Sequence, residues 1–350
     1  MSGIYGMAAD HIMALEVVTA TGEFVTASPE TNKDLYWALR GGGGGTYGVV
    51  TSVIVRVHPK ISSVTTMFTF RASGDKFWQG VRKYFSMFVP LADAAMYSYF
   101  WVYPEGDDQY TFDLKPIFAP NHTLESFQRH IKPWFDELES LGIEFKPNTR
   151  YHESFYEAYS ATWLADADLQ LVGSAAVRAG NHLFPQSVWA SEGKFNATLA
   201  SLRALSETGH RWGGYNQAPR NRANADNAVS PAFRNLVAFL ISASLQPAHP
   251  TPDEMRAASR ALRDDVLGPW REIAPPSENG GSYLNEADVM EPDWQASFYG
   301  AENYERLLEV KRNWDPTGVF YATTGVGSED WEVKDGDLGV QTQNGRLCRV

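Results

Sequence analysis

The chain has 350 residues, 43% hydrophobic and 21% charged, which suits two domains with substantial buried cores rather than a disordered polypeptide. Its formal charge of −12 and pI near 5.2 argue against a nucleic-acid partner and against anionic membrane surfaces. No apolar run approaches a membrane span, and the single Cys348 leaves no internal disulfide and no cysteine-built metal site.

The first residues show no basic region followed by an apolar block. Glu16 to Ala27 alternates around a Thr21-Gly22 turn, the pattern of a hairpin with one buried face. Ser28-Pro29-Glu30 and Asn32 offer helix-start chemistry ahead of a helix over Asp34 to Arg40. Gly41 to Gly45 end that helix, and Val49 to Val57 reads as a strand stopped by His58-Pro59. The glycine run follows a helix and precedes a strand, the reverse of a dinucleotide fingerprint, and no Lys-Ser/Thr follows it. Close backbone approach is the favoured reading for the glycines themselves.

Strands are predicted over Ser62 to Arg71, Ala95 to Tyr103, Tyr110 to Phe118, Gly213 to Gln217 and Leu236 to Leu245. Helices are predicted over Asp75 to Phe88, Thr123 to Leu141, Ser154 to Trp163, Glu192 to Thr208 and Pro252 to Trp270. This mixture, without glycine fingerprints, fits an antiparallel sheet backed by helices. Pro275 to Gly281 is the glycine-bearing linker candidate, and Lys334 to Arg346 reads as a mobile arm, with Cys348 an exposed thiol. Sequons at Asn121-His122-Thr123 and Asn196-Ala197-Thr198 hint at a secreted parent. The eight histidines show no metal-ligand spacing, so no metal site is predicted, and no Gly-x-Ser-x-Gly elbow occurs. Aromatic content of 13%, with 11 Trp and 16 Tyr, suits cores and also a site that stacks flat rings. Tyr159, Trp163, Trp212 and Tyr215 are candidates for either role.

Near the C-terminus, Leu307, Val310 and Trp314 recur at helical spacing, and Asp315-Pro316 ends the helix. The longer string from Tyr299 through Asn303 to Asp315-Pro316 and Phe320-Tyr321 resembles the C-terminal signature of berberine-bridge-enzyme-like, FAD-linked oxidoreductases. Asp34-Leu-Tyr-Trp-Ala-Leu-Arg40, the glycines, and Tyr47-Gly-Val-Val-Thr51 resemble a second segment of that family, and Gly325 to Val333 is similar to a string in its fungal members. The resemblance runs from about residue 3 to residue 333.

It implies an α+β fold: a partial PCMH-type FAD-binding domain with an inserted antiparallel-sheet substrate domain backed by helices. The implied boundaries are residues 1–60 for part of the FAD domain, 61–285 for the substrate domain, 286–333 for the returning segment and 334–350 for a polar tail. The implied activity is oxidation of an alcohol, amine or related carbon centre of a small molecule, in settings that include secondary metabolism. Hydride passes to FAD, with molecular oxygen a candidate acceptor. Tyr299 is the candidate base, while a buried tyrosine with a satisfied hydroxyl is an equal alternative. Tyr283 and Asn285 would orient substrate or tyrosine, with Glu286 and Asp288 as further partners. Gly3, Gly6, Asp10, Val49, Val50 and Asn303 match cofactor-side positions.

The chain departs from the family in one respect. Its opening Gly3 to Asp10 resembles a string that follows the family's pyrophosphate loop and flavin-attachment segments, and His11 replaces the usual Asn. The expectation is therefore no covalent flavin and weak FAD binding by the isolated chain. The rival readings are a flavin-deficient relative acting as a non-catalytic partner subunit, and a flavin-independent cyclase or isomerase. Oligomeric state is not encoded in any motif.

Overall fold

The computed structural model describes residues 1–163, 177–220, 224–245, 247, 249–335 and 343–350. Both ends of the chain share one apolar core, and the middle builds another. In the first, β1 (Ile12–Val18) lies between β2 (Phe24–Ala27) and β3 (Val49–Val55), all antiparallel. Leu15 and Val17 alternate inward onto Leu35 and Trp37 of the Lys33–Leu39 helix. The Ala301–Trp314 helix, more than 250 residues later, closes this core with Tyr304, Leu307 and Val310. Trp314 Nε1 donates to Asp34 at 3.0 Å, and the Arg306 guanidinium lies 3.8 Å from the Trp37 ring centre. All seven residues of β3 are exposed.

The middle segment forms a seven-stranded sheet. Its strands are β4 (Ser63–Ser73), β5 (Tyr97–Gly106), β6 (Gln109–Pro120), β7 (Asn148–His152), β8 (Val177–Pro185), β9 (Trp212–Asn216) and β10 (Leu236–Leu245). The order is β7-β4-β6-β5-β9-β10-β8, with every pair antiparallel. Helices Gly74–Ser86, Leu124–Ser140, Glu192–Glu207 and Leu267–Ile273 bury one face against Phe70, Phe100, Phe112, Trp134 and Trp270. The Thr123 and Ser191 hydroxyls accept from the first-turn amides of Ser126 and Lys194, satisfying donors a helix start leaves open.

Several elements differ from the sequence expectation. β7 and β8 were not anticipated, because β7 is a mostly exposed edge strand and β8 carries Arg178, Asn181 and His182 among its apolar residues. The helix predicted over Pro252 to Trp270 is interrupted by a π-turn at Ala261–Val266. The extra residue brings Leu262 and Val266 into the same core as Leu267 and Trp270. The linker candidate is tightly packed: Leu183 donates to Gly281 O at 2.7 Å, and Ser282 donates to Ser297 O at 3.0 Å. The tail is not wholly a free arm, since Arg346–Arg349 pairs with Trp331–Lys334; residues 336–342 of the predicted arm lie outside the described residues. Trp212 is core, fully buried beside Phe100 and Trp78, rather than pocket lining. Of the two sequons, Asn121 is exposed in a turn with φ 62°, whereas Asn196 lies within a helix with Thr198 buried. Among the described residues no helix is long and apolar enough to cross a membrane, and no cluster of three metal-ligating side chains occurs.

His182 gives the middle core a pH dependence. It is fully buried in β8, its Nε2–H donates to Ala274 O at 2.8 Å, and burial pushes its pKa down to about 4. The native state therefore holds it neutral, while the unfolded chain protonates it below about 6.5. Stability present above that value is lost as pH falls towards 4, by roughly 3 kcal/mol. Urea titrations at pH 7 and pH 4.5 should show a smaller loss in His182→Gln than in the wild type; equal losses would remove the attribution.

Candidate active site

A cavity of about 210 Å³ lies between the core shared by the chain ends and a small apolar cluster of Leu183, Ala232, Leu236 and Phe239, on which Phe233 and Tyr283 pack. Its walls come from Leu39 and the glycine turn on one side, Val229 and Phe233 on another, and Tyr283, Leu284 and Tyr299 on the third. The glycine run earns its place by contact. Gly41 has φ +131°, and a Cβ there would stand 2.3 Å from Val229 N, so only glycine lets the turn meet the Ala228–Val229 backbone. Ala228 N then donates to Arg40 O at 3.1 Å. Lys311 ties the turn to the C-terminal helix: its ammonium donates to Thr46 O at 2.7 Å, Phe320 O at 2.8 Å and Asp315 Oδ2 at 2.6 Å. Burial alone would raise the Asp315 pKa, but Lys311 and the amides of Phe320 and Val319 hold it below the usual carboxylate range.

Tyr299 closes the Trp294–Tyr299 helix and is buried at the cavity wall. That helix is braced from behind, where Ser297 donates to Glu291 Oε1 at 2.9 Å and Glu291 pairs with Arg271 at 3.0 Å. The Tyr299 hydroxyl donates to Thr324 O at 3.1 Å. Burial first, and the Glu329 carboxylate second, push its pKa well above the ordinary tyrosine value. Tyr283 and Asn285 line the same cavity, and Asn285 Nδ2 donates to the Tyr283 hydroxyl at 2.8 Å. The structure thus brings together the three side chains singled out for chemistry.

The cofactor-side candidates do not converge in the same way. Gly3 packs against the Ala95 backbone, and Gly6, at φ +89°, lies against the Asp10 carboxylate. Asp10 is consumed internally, accepting from Arg234 at 2.8 and 2.6 Å and from Asn227 at 2.7 Å. Val49 and Val50 are 55% and 37% exposed on β3. Asn303 turns its amide to the carbonyls of Ala228 and Val229, at 3.4 and 3.3 Å, immediately behind the cavity wall. Of the partners named with lower weight, Asp288 is buried, which raises its pKa, and Glu286 is exposed.

Two neighbours of Tyr299 were missed. Tyr47 is fully buried with an unpartnered hydroxyl, and Tyr304 donates to the Glu329 carboxylate at 2.6 Å. Tyr47 belongs to the glycine-run segment and Tyr304 to the C-terminal string, which marked them for proximity; the Glu329 contact, 25 residues on, had no signal.

The resemblance implies a flavin, and the residues present fit one end of it. Flat apolar and aromatic walls suit an isoalloxazine ring, and a Cβ at Gly44 would meet nothing within 4 Å, so this side of the cavity is open. No Lys or Arg lines the cavity among the described residues, so the pyrophosphate finds no charged partner there.

The family model described as "Berberine and berberine like" matches residues 282–327, the stretch carrying Tyr283, Asn285, Tyr299 and Asn303. The chain is 34% identical over 357 residues to the FAD-linked oxidoreductase patO of Aspergillus clavatus, covering 100% of this chain and 58% of that protein. It is 32% identical over 358 residues to a VAO-type flavoprotein oxidase of Thermothelomyces thermophilus, again covering 100% and 58%. A crystal structure of a VAO-type flavoprotein from Myceliophthora thermophila superposes with TM-score 0.82 at 28% identity, covering 100% of this chain and 61% of that one. The chain therefore spans about three fifths of the length of the relatives it matches. With the α+β architecture and the matched C-terminal segment, these likenesses make the chain similar over its whole length to berberine-bridge-like, VAO-type flavoproteins.

Proposed function

We propose that the cavity seats the ring end of FAD beside a small-molecule alcohol, amine or related carbon centre, and that the protein serves an FAD-dependent oxidation with molecular oxygen as the final acceptor. The observation that carries this reading is the convergence of Tyr299, Tyr283 and Asn285 on one cavity walled by the glycine turn. When bound, the flavin supplies the hydride acceptor. The protein's part is placement and proton handling: Tyr283 and Asn285 orient the substrate's polar atom, and Tyr299, once ionised to the phenolate, takes its proton. Leu39, Leu284 and Phe298 keep the reacting centre away from water. Anaerobic addition of an alcohol or amine substrate to the flavin-loaded protein should bleach the flavin band. A panel of such substrates that leaves the band unchanged would overturn the reading.

The cavity also sets an expectation for the cofactor. With no Lys, Arg, His or Cys among the described residues that line it, the chain by itself should bind FAD weakly and without a covalent bond. Acid precipitation should give colourless protein and a yellow supernatant; a yellow pellet would contradict this.

A further inference from the structure

Residues 224–235, which lead into β10, leave the seven-stranded sheet and cross to the core shared by the chain ends. Ala228 is fully buried in that core, and Val229, Ser230 and Phe233 after it line the cavity. The crossing is held from the first domain at several points. The Arg40 guanidinium donates to Asp226 O, and the Asn303 amide donates to Ala228 O and Val229 O.

One side chain grips both this crossing and the opening of the chain. The Asp10 side chain has no exposed surface, and it accepts four hydrogen bonds. Oδ2 takes Met7 N and Arg234 Nη1, each at 2.8 Å, while Oδ1 takes Arg234 Nη2 at 2.6 Å and Asn227 Nδ2 at 2.7 Å. A carboxylate offers about four acceptor positions, so none is left for a ligand. Gly6 makes room for it, since a Cβ there would stand 2.5 Å from Asp10 Oδ2. Asn227 passes the hold onward: its Oδ1 accepts from Arg234 at 2.9 Å and from the Val229 amide at 3.3 Å. A bidentate Arg–carboxylate pair is directional as well as attractive. Burial alone would raise the Asp10 pKa, but Arg234 and Asn227 hold it below the usual carboxylate range. The cavity takes Met7 and Ala9 from the segment around Asp10, and Val229, Ser230 and Phe233 from the crossing. One carboxylate therefore governs two of its walls.

We propose that Asp10 is a positioning residue: through Asn227 and Arg234 it sets the spacing between the Met7–Ala9 wall and the Val229–Phe233 wall, and with it the width of the slot that admits a flat ring. Its oxygens are all engaged, so it acts through its partners. That the ring admitted is a flavin rests on the oxidase reading above; the hold on the two walls does not.

Hydrogen exchange of the purified chain without flavin, read amide by amide by NMR, tests the hold. Asp10→Asn removes the charge and turns an amide donor towards groups that are all donors. It should speed exchange at the Met7 and Val229 amides about tenfold and leave the β5 and β6 amides unchanged. Asn227→Ala is the milder change: it keeps the Asp10–Arg234 pair and should speed Val229 without Met7. FMN, which carries the ring on a single phosphate, is the second probe, followed by quenching of its fluorescence. Its binding should weaken about tenfold in Asn227→Ala. Exchange unchanged at both amides in Asp10→Asn, acceleration spread evenly over the sheet, or FMN affinity indifferent to Asn227→Ala would overturn the proposal. The two readings fail separately: local acceleration with no FMN binding by the wild type removes the flavin and keeps the hold, and FMN binding that neither variant moves removes the hold and keeps the flavin.

Discussion

Replacing Tyr299 by Phe is expected to lower turnover of the flavin-loaded protein by ~10²–10⁴, the usual worth of a general base, with flavin content unchanged. The substitution keeps the ring that walls the cavity and deletes only the hydroxyl that would take the substrate's proton. The same hydroxyl sets a pH dependence. Burial, and after it the Glu329 carboxylate, push its pKa upward, so the proton-accepting phenolate is scarce near neutrality. The kcat/KM of the wild type should therefore climb with pH into the alkaline range, and the Phe variant should lack that limb. Steady-state rates across pH decide the matter. Near-normal turnover in the variant would make Tyr299 a packed core residue, whose lost hydrogen bond to Thr324 costs about 1 kcal/mol of stability. Tyr283 would then be the next proton acceptor to test.

The largest expected effect on stability is at Lys311. Its side chain is 7% exposed and that of its partner Asp315 is fully buried, so removing one charge strands the other in a low-dielectric interior. Lys311→Met should destabilise the protein by about 3–5 kcal/mol, the range for breaking a buried pair. Two carbonyls, Thr46 O and Phe320 O, lose their donor in the same change. Because Thr46 follows the glycine turn that walls the cavity, ligand affinity should fall with stability. Urea denaturation of the variant measures the first quantity; a loss below about 1 kcal/mol would show that water enters and solvates Asp315.

Local rules made much of the fold legible. Hydrophobic periodicity located the Leu124–Ser140 helix within a residue, and the Thr-Gly turn located the β1–β2 hairpin. Those signals depend on near neighbours, and near neighbours are what a sequence displays. β7 was invisible for the opposite reason: an exposed edge strand of Asn148–His152 needs no apolar alternation, because its neighbour β4 supplies the pairing.

The site divides along the same line. Tyr283, Asn285 and Tyr299 could be named because they sit in strings that resemble a family segment, and the fold then set them on one cavity. Asp10 and Asn303 could be named as cofactor-side positions, but their partners could not. The side-chain partners of Asp10 lie 217 and 224 residues away, and those of Asn303 are backbone carbonyls 74 and 75 residues before it. β5 shows the limit most clearly. Apart from Ser98, its sequence Tyr97-Ser-Tyr-Phe-Trp-Val-Tyr103 is aromatic or apolar in both registers, so alternation alone cannot say which set enters the core. Sequence determined that β5 is a strand with two ring-bearing faces. Only the packing of the Gly74–Ser86, Leu124–Ser140 and Glu192–Glu207 helices on one side decided that Phe100 is core. That choice left Tyr99 at the surface beside Tyr215, since a face is buried by whatever covers it and not by its own composition.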